Sequence, residues 1–188
     1  MRVISGKFRG KRISSPEGDK VRPTTDKIKE TLFNILVSKN LLGEVFALDL
    51  FGGTGGIGIE LLSRGAEKVI FIDKDRESIR FIRENLKNVG ASEQTFEIYN
   101  VDYEFALKKL QGKKFDLIFA DPPYNAGFED MVIRLVQKYD LLQSDGVLVI
   151  EHSTQKSFES ETFEVDNRKC GNTTLSFLSP KEKEEQNE

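Results

Sequence analysis

The stretch "ALDLFGGTGGIGIELL", Ala47 to Leu62, decides the fold. An apolar run ends with an acid, five glycines fall within the next few residues, and a second apolar run follows at once. The pattern reads as a strand, a tight turn and a helix, because glycine accepts positive φ and lets backbone approach a ligand closely. Gly53, Gly55 and Gly58 also spell G-x-G-x-x-G, the turn of a nucleotide-binding βαβ unit.

Outward from this turn, strand and helix signals alternate. Upstream, "RPTTDKIKETLFNIL" begins at Arg22. Pro23, then Thr24 or Thr25 as a cap, precede an apolar face of Ile28, Leu32, Phe33, Ile35 and Leu36, which predicts a helix ending near Asn40. Downstream, KVIFIDKD is a second strand. Arg76 to Val89 is an amphipathic helix stopped by Gly90. TFEIYN is a third strand, Glu104 to Leu110 a short helix, KFDLIFADPP a fourth strand, Phe128 to Tyr139 a helix, and GVLVIEHS a fifth strand. VIFI, LIFA and VLVI are apolar without alternation, as in parallel strands covered on both faces. After Ser153, FEVDNRK and NTTLSFLS around Gly171 read as an antiparallel hairpin. The expected fold is α/β: a doubly wound, mainly parallel, Rossmann-like sheet of seven strands with that hairpin at its C-terminal end. The expected parts are a basic N-terminal hairpin or arm over 1–22, a main domain over 23–180 and a disordered charged tail over 181–188.

The bulk numbers narrow the function classes. The chain has 188 residues, 38% hydrophobic and 31% charged, which suits one soluble domain. A net charge of −3 carries no global nucleic-acid signature, so such a role needs a local patch. One patch is present. Arg2, Lys7, Arg9, Lys11, Arg12, Lys20 and Arg22 face only Glu17 and Asp19 in the first 22 residues. A solvated charged arm is the plainer alternative. The single cysteine, Cys170, excludes an internal disulfide and a multi-cysteine zinc site. It reads as a core thiol, and no metal is expected. The N-terminus lacks the apolar stretch of a signal peptide, and no run is long enough to span a membrane. A cytoplasmic protein without membrane contact is expected.

The glycine turn needs a ligand. Asp73, 20 residues after Gly53, ends the second strand and suits ribose hydroxyls. That fits a dinucleotide, and an oxidoreductase is one alternative. Asp49, just ahead of the glycines, argues against it. A pyrophosphate wants a bare helix N-terminus, and a carboxylate there repels it. A cationic ligand gains from the same carboxylate. Asp102 after the third strand is placed to reach an adenine amino group, or is simply a turn or capping residue. Adenosine with a cationic end describes S-adenosylmethionine.

"DPPY", Asp121 to Tyr124, terminates the fourth strand. Pro122 and Pro123 lack N–H groups, so the segment offers carbonyls and the Asp121 carboxylate without donors. Such a cluster orients an exocyclic amino group and offsets the charge developing on its nitrogen. Tyr124 can stack on a base swung out of its helix. Ionised Asp121 accepts only, which matches the adjacent N1–H and N2–H2 donors of guanine better than the mixed edge of adenine. Aspartate serves adenine enzymes too, so adenine-N6 transfer on RNA or DNA stays open.

DLFGGTGG with DPPY resembles the class I S-adenosylmethionine-dependent methyltransferases that modify exocyclic amino groups. "ISGKFRGKRI", "RPTTDKIKETLFNIL", "LDLFGGTGGIGIELLSRGA", "IDKDRESIRFIRENL", "FDLIFADPPY" and "GVLVIEHS" follow in order the pattern of the RsmD family. The resemblance implies methyl transfer to N2 of one guanine of 16S rRNA, in an assembled or partly assembled small subunit, by a monomer. It implies a donor site of Asp49, Phe51, Gly52, Gly53, Thr54, Gly55, Gly58, Asp73, Lys74, Asp102 and Tyr103. It puts Asp121, Pro122, Pro123 and Tyr124 at the reaction, and Lys7, Arg9, Lys11, Arg12, Arg22, Pro23 and Thr24 toward the RNA. Relatives commonly carry alanine at Gly53, a departure expected to loosen the turn without removing the site. A silent assembly factor on the same fold is the remaining alternative. His152, the one histidine, reads as structural or substrate-contacting, because methyl transfer to an amino group needs no strong base before attack.

Overall fold

The computed structural model describes residues 1–16, 26–123, 127–156 and 158–181. The elements run α1 (Asp26–Ser38), β1 (Phe46–Leu50), α2 (Gly56–Ser63), β2 (Lys68–Asp73), α3 (Arg76–Val89), β3 (Phe96–Asn100), α4 (Tyr103–Lys109), β4 (Phe115–Ala120), α5 (Phe128–Lys138), β5 (Leu142–Ser153), β6 (Phe163–Cys170) and β7 (Thr173–Pro180). They form one seven-stranded sheet in the order β3-β2-β1-β4-β5-β7-β6. The first five strands pair in parallel, and β7 inserts antiparallel between β5 and β6. The expected fold is therefore the observed one.

Each buried strand serves two cores. On β1, Ala47 faces one side and Leu48 and Leu50 the other. The first side packs under α1, α2 and α3, through Phe33, Leu36, Ile59, Leu62, Ile82 and Leu86 among others. The second packs under α4 and α5, through Leu107, Val132 and Val136. The order reverses direction at β1/β4, and the carboxyl ends of those two strands frame the crevice where such sheets bind ligands.

Two elements differ from their sequence reading. β5 starts at Leu142 rather than at Gly146, because Leu142 pairs with Phe115 ahead of a register shift. Leu141 and Leu142 are buried, while the polar residues after them lie exposed at the irregularity and hide the strand from a pattern search. The N-terminal hairpin shrinks to a single antiparallel bridge, Arg2 to Arg12. Val3, Phe8 and Ile13 are buried and hold this loop against the core. Gly6 has φ +80, and a Cβ there would lie 1.8 Å from the Ser63 carbonyl oxygen, so only glycine permits the contact with the end of α2. Thr24, Thr25 and the rest of residues 17–25 lie outside the described residues.

Candidate functional site

A cavity of about 250 Å³ opens at the carboxyl ends of β1, β2, β3 and β4. Four of the predicted acids sit around this end of the sheet, and three of them, Asp73, Asp102 and Asp121, line the cavity itself. Phe51, Gly53, Lys74, Tyr103 and Pro123 from the expected set line it too.

The glycine turn shows why the ligand is not a pyrophosphate. Four of its N–H groups already have acceptors. Gly52 donates to Ile72 O at 2.8 Å, Gly53 to Asp73 Oδ2 at 2.8 Å, Gly55 to Gly52 O at 2.7 Å and Gly58 to Asp49 Oδ2 at 3.0 Å. Two of the four acceptors are carboxylates. A phosphate would have to displace them and then face their charge. The acids instead make the cavity fit a ligand with hydroxyl and amino donors and a positive charge.

Asp49 does not line the cavity. It is 2% exposed and sits behind the turn, where it holds the first turn of α2 through Gly58. Burial pushes its carboxyl up to about 7, the Gly58 N–H opposes the rise, and the charge of Asp73 adds to it. Thr54, Gly55, Gly52 and Gly58 are likewise structural parts of the turn. The Thr54 carbonyl accepts from Asn85 Nδ2 at 2.9 Å, and a Cβ on Gly58 would meet Phe71 Cε1 at 2.2 Å. At Gly53 a Cβ would find nothing nearer than Phe51 O at 4.0 Å, so alanine fits the space although φ is +55.

Asp73 is also raised, mainly by burial, against hydrogen bonds from the N–H groups of Asp75 and Gly53. These occupy one lone pair on each oxygen and leave the rim of the carboxylate toward the cavity. Asp102 is both things the sequence allowed. It caps α4 by accepting from Glu104 N at 2.9 Å, and it lines the cavity.

The sequence reading missed Asp75, Ser78 and Phe128, which line the same cavity. Asp75 caps α3, a role its place before an amphipathic run signals. Phe128 carries no local signal. It starts α5 and meets Phe51 and Tyr103 only in the fold, with ring centroids 6.4 Å and 5.4 Å away. Phe51 holds φ 68, a strained value for a side-chain-bearing residue, and its ring closes the cluster against Tyr103 at 5.1 Å.

At the end of β4, Pro122 is buried and Pro123 exposed, with Asp121 between strand and cavity. Tyr124 lies outside the described residues, as do Arg22, Pro23 and Thr24. His152 is fully buried. Its Nδ1 lies 2.9 Å from Ser153 O and its Nε2 2.6 Å from Ser176 Oγ, and burial lowers its pKa. Both ring nitrogens are engaged inside the sheet, so the residue is structural. Cys170 packs partly buried against the core.

The basic loop lies elsewhere. Lys7 N donates to Ser63 O at the end of α2, and Lys11 Nζ donates to Val89 O at 2.7 Å at the end of α3. α2 leaves the carboxyl end of β1 and runs back, so Ser63 and the Lys7 backbone lie away from the cavity mouth. Lys7, Arg9, Lys11 and Arg12 are exposed, and just after them Ser14 returns to Asn85, which also holds the Thr54 carbonyl of the glycine turn.

Comparison with known proteins places this arrangement. The family model described as "Conserved hypothetical protein 95" matches residues 1–179. The "Putative rRNA methyltransferase YlbH" of Bacillus subtilis is 39% identical over 161 residues, covering 82% of this chain and 84% of that one. The "Ribosomal RNA small subunit methyltransferase D" of Haemophilus influenzae is 32% identical, covering 83% of this chain and 80% of that one. Among solved structures, "Putative methyltransferase yhhF from Escherichia coli" superposes with a TM-score of 0.84 at 26% identity, over 97% of this chain and 99% of that one.

Proposed function

The chain belongs to the conserved hypothetical protein 95 family, the RsmD family, and from that premise we propose that it methylates ribosomal RNA with S-adenosylmethionine as donor, at N2 of one guanine in the 16S rRNA of the small subunit. The observation that carries the reading is the glycine turn with its N–H groups spent on Asp49 and Asp73, beside a cavity that ends at Asp121. When bound, the donor supplies an electrophilic methyl group. The residues do the rest. Asp73 holds ribose hydroxyls, Asp102 faces the adenine amino group, and the ionised form of Asp49 favours the cationic end through the turn. Phe51, Tyr103 and Phe128 give the nucleoside an apolar wall and keep water out.

Asp121 and the carbonyls of Pro122 and Pro123 accept the N–H groups of the guanine amino nitrogen. They aim its lone pair at the methyl and offset the positive charge that grows on it. The surplus proton leaves after transfer, so no base inside the site is needed, in keeping with the buried His152. Tyr124 stacks on the flipped base in this reading. The basic loop of Lys7, Arg9, Lys11 and Arg12 holds RNA outside the cavity, which suits a large folded substrate such as a small subunit. Arg22, Pro23 and Thr24 are further proposed contacts with the RNA.

Mass mapping of 16S rRNA from a deletion strain tests the target. Loss of one N2-methylguanine is expected, while full guanine methylation with a missing N6-methyladenine would point to the adenine enzyme. Asp121→Ala should abolish turnover and leave S-adenosylhomocysteine binding intact by calorimetry. Persistent turnover would remove Asp121 from the reaction, and NAD binding in place of S-adenosylhomocysteine would restore the oxidoreductase.

A further inference from the structure

We propose that the groove between β3 and α4 is a stacking shelf for an unpaired base of the RNA substrate, adjoining the donor cavity. The proposal rests on the RNA reading above. The groove measures about 210 Å³ and is lined by Tyr99, Phe105, Lys109 and Lys113. Its inner wall is Ile72 and Val101, and the same two residues line the donor cavity.

Exposed hydrophobic residues are ordinary when scattered. These are not scattered. Among the described residues only three large hydrophobics are exposed, and two of them, Tyr99 at 40% and Phe105 at 55%, converge on this groove. They come from different elements, with the buried Ala106 and Leu110 at its floor. An apolar ledge edged by lysines matches a nucleotide, which presents a flat π face and a phosphate together. Lys109 Nζ stands 5.7 Å from the Phe105 ring centroid, in reach of a phosphate on a base stacked there. The acids around it are engaged: Glu97 pairs with Lys68 and accepts the Tyr99 hydroxyl, Asp102 accepts from Glu104 N, and Glu104 accepts from the Tyr103 hydroxyl. The first of these holds Tyr99 itself and fixes its ring. A stacking shelf reads any base, so it adds affinity for an unpaired strand without adding sequence choice.

Phe105→Ala and Phe105→Trp test this in the full chain. The first should raise KM for small subunits lacking the methyl group about tenfold, with kcat and S-adenosylmethionine affinity unchanged. The second should keep activity. The chain has no tryptophan, so the new indole reports alone, and a single-stranded oligoribonucleotide should quench it. An unchanged KM with no quenching overturns the shelf. So does a dimer that Phe105→Ala dissociates at unchanged KM, which would make the groove a protein interface. If the wild-type protein methylates no RNA, the enzymatic reading fails instead, and the quenching titration still decides the shelf.

Discussion

Asp49 combines a structural bond with a poised charge. In an unfolded chain an aspartate ionises near pH 4, whereas the folded Asp49 keeps its proton up to about 7. Between those values the folded state binds the extra proton. Its contribution to stability is therefore fully present below about pH 4 and is lost as pH rises through about 7. A cationic ligand reverses the preference and favours ionisation. Affinity for S-adenosylmethionine should rise as pH increases through about 7, with proton release on binding below it. Calorimetry in buffers of different ionisation enthalpy measures that release, and Asp49→Asn should remove it. Equal release by variant and wild type would assign the proton to another group. Gly58 offers a second test at this scale. Gly58→Ala drives a Cβ to 2.2 Å from Phe71, and overpacking should cost about 1–3 kcal/mol in urea unfolding. Adding Phe71→Leu should recover part of the loss. The acids were legible at this scale because strand ends and glycine turns are local signals. Their pKa values were not, because burial is set by residues far along the chain.

The helices are tied together by polar side chains that no periodicity shows. Asn85 sits fully buried on α3, accepts from Ser14 N at 2.8 Å, and donates to Ser14 O and Thr54 O at 2.9 Å each. It joins the N-terminal segment to the glycine turn. Asn85→Ala leaves three partners unsatisfied and should destabilise by about 1–3 kcal/mol. It should also weaken donor binding more than Ser14→Ala, whose backbone bonds survive; equal affinities would deny that Asn85 shapes the turn. Glu60 on α2 is the second tie. Its carboxylate meets Lys29 Nζ at 3.2 Å, Arg64 Nε at 2.9 Å, Ile4 N at 2.8 Å and Ser5 N at 2.9 Å. Lys29 is buried and its pKa falls with burial, with Glu60 opposing the fall. Lys29→Met removes one of two cations from a buried carboxylate that keeps Arg64 and two backbone N–H groups, and should cost about 1–3 kcal/mol, read by denaturant unfolding. A loss within the scatter of surface variants would make the pair dispensable. On helical spacing Lys29 falls on the apolar face of α1, with Leu32, Phe33 and Leu36 at i+3, i+4 and i+7, where a charge needs partners. It is inside because the N-terminal loop, more than twenty residues earlier, folds over it and offers the Arg2 carbonyl at 2.6 Å.

At the scale of the whole molecule, the basic loop lies outside the cavity of the proposed chemistry, and the aromatic groove lies beside that cavity. A substrate that touches all three is larger than a short oligonucleotide. Methylation should accordingly be faster on small subunits than on naked 16S rRNA, and the advantage should shrink when Lys7, Arg9, Lys11 and Arg12 become alanine. A rate independent of both changes would leave the loop a solvated arm. The alternation of strands and helices was readable from the chain, because β2, β4 and β5 each hold a continuous apolar run and the turns carry glycine, proline or aspartate, whereas the strand order came only with the fold. The acids at the strand ends and the Asp121-Pro122-Pro123 end of β4 were readable too, since all are sequence-local. Three further things were decided only in the fold: that Asp49 stands behind the turn instead of in the cavity, that Phe128 joins Phe51 and Tyr103, and that Lys7 and Lys11 are bonded to the ends of α2 and α3. Each depends on which distant elements pack together, and hydrophobic periodicity records that a face is buried without recording what it is buried against.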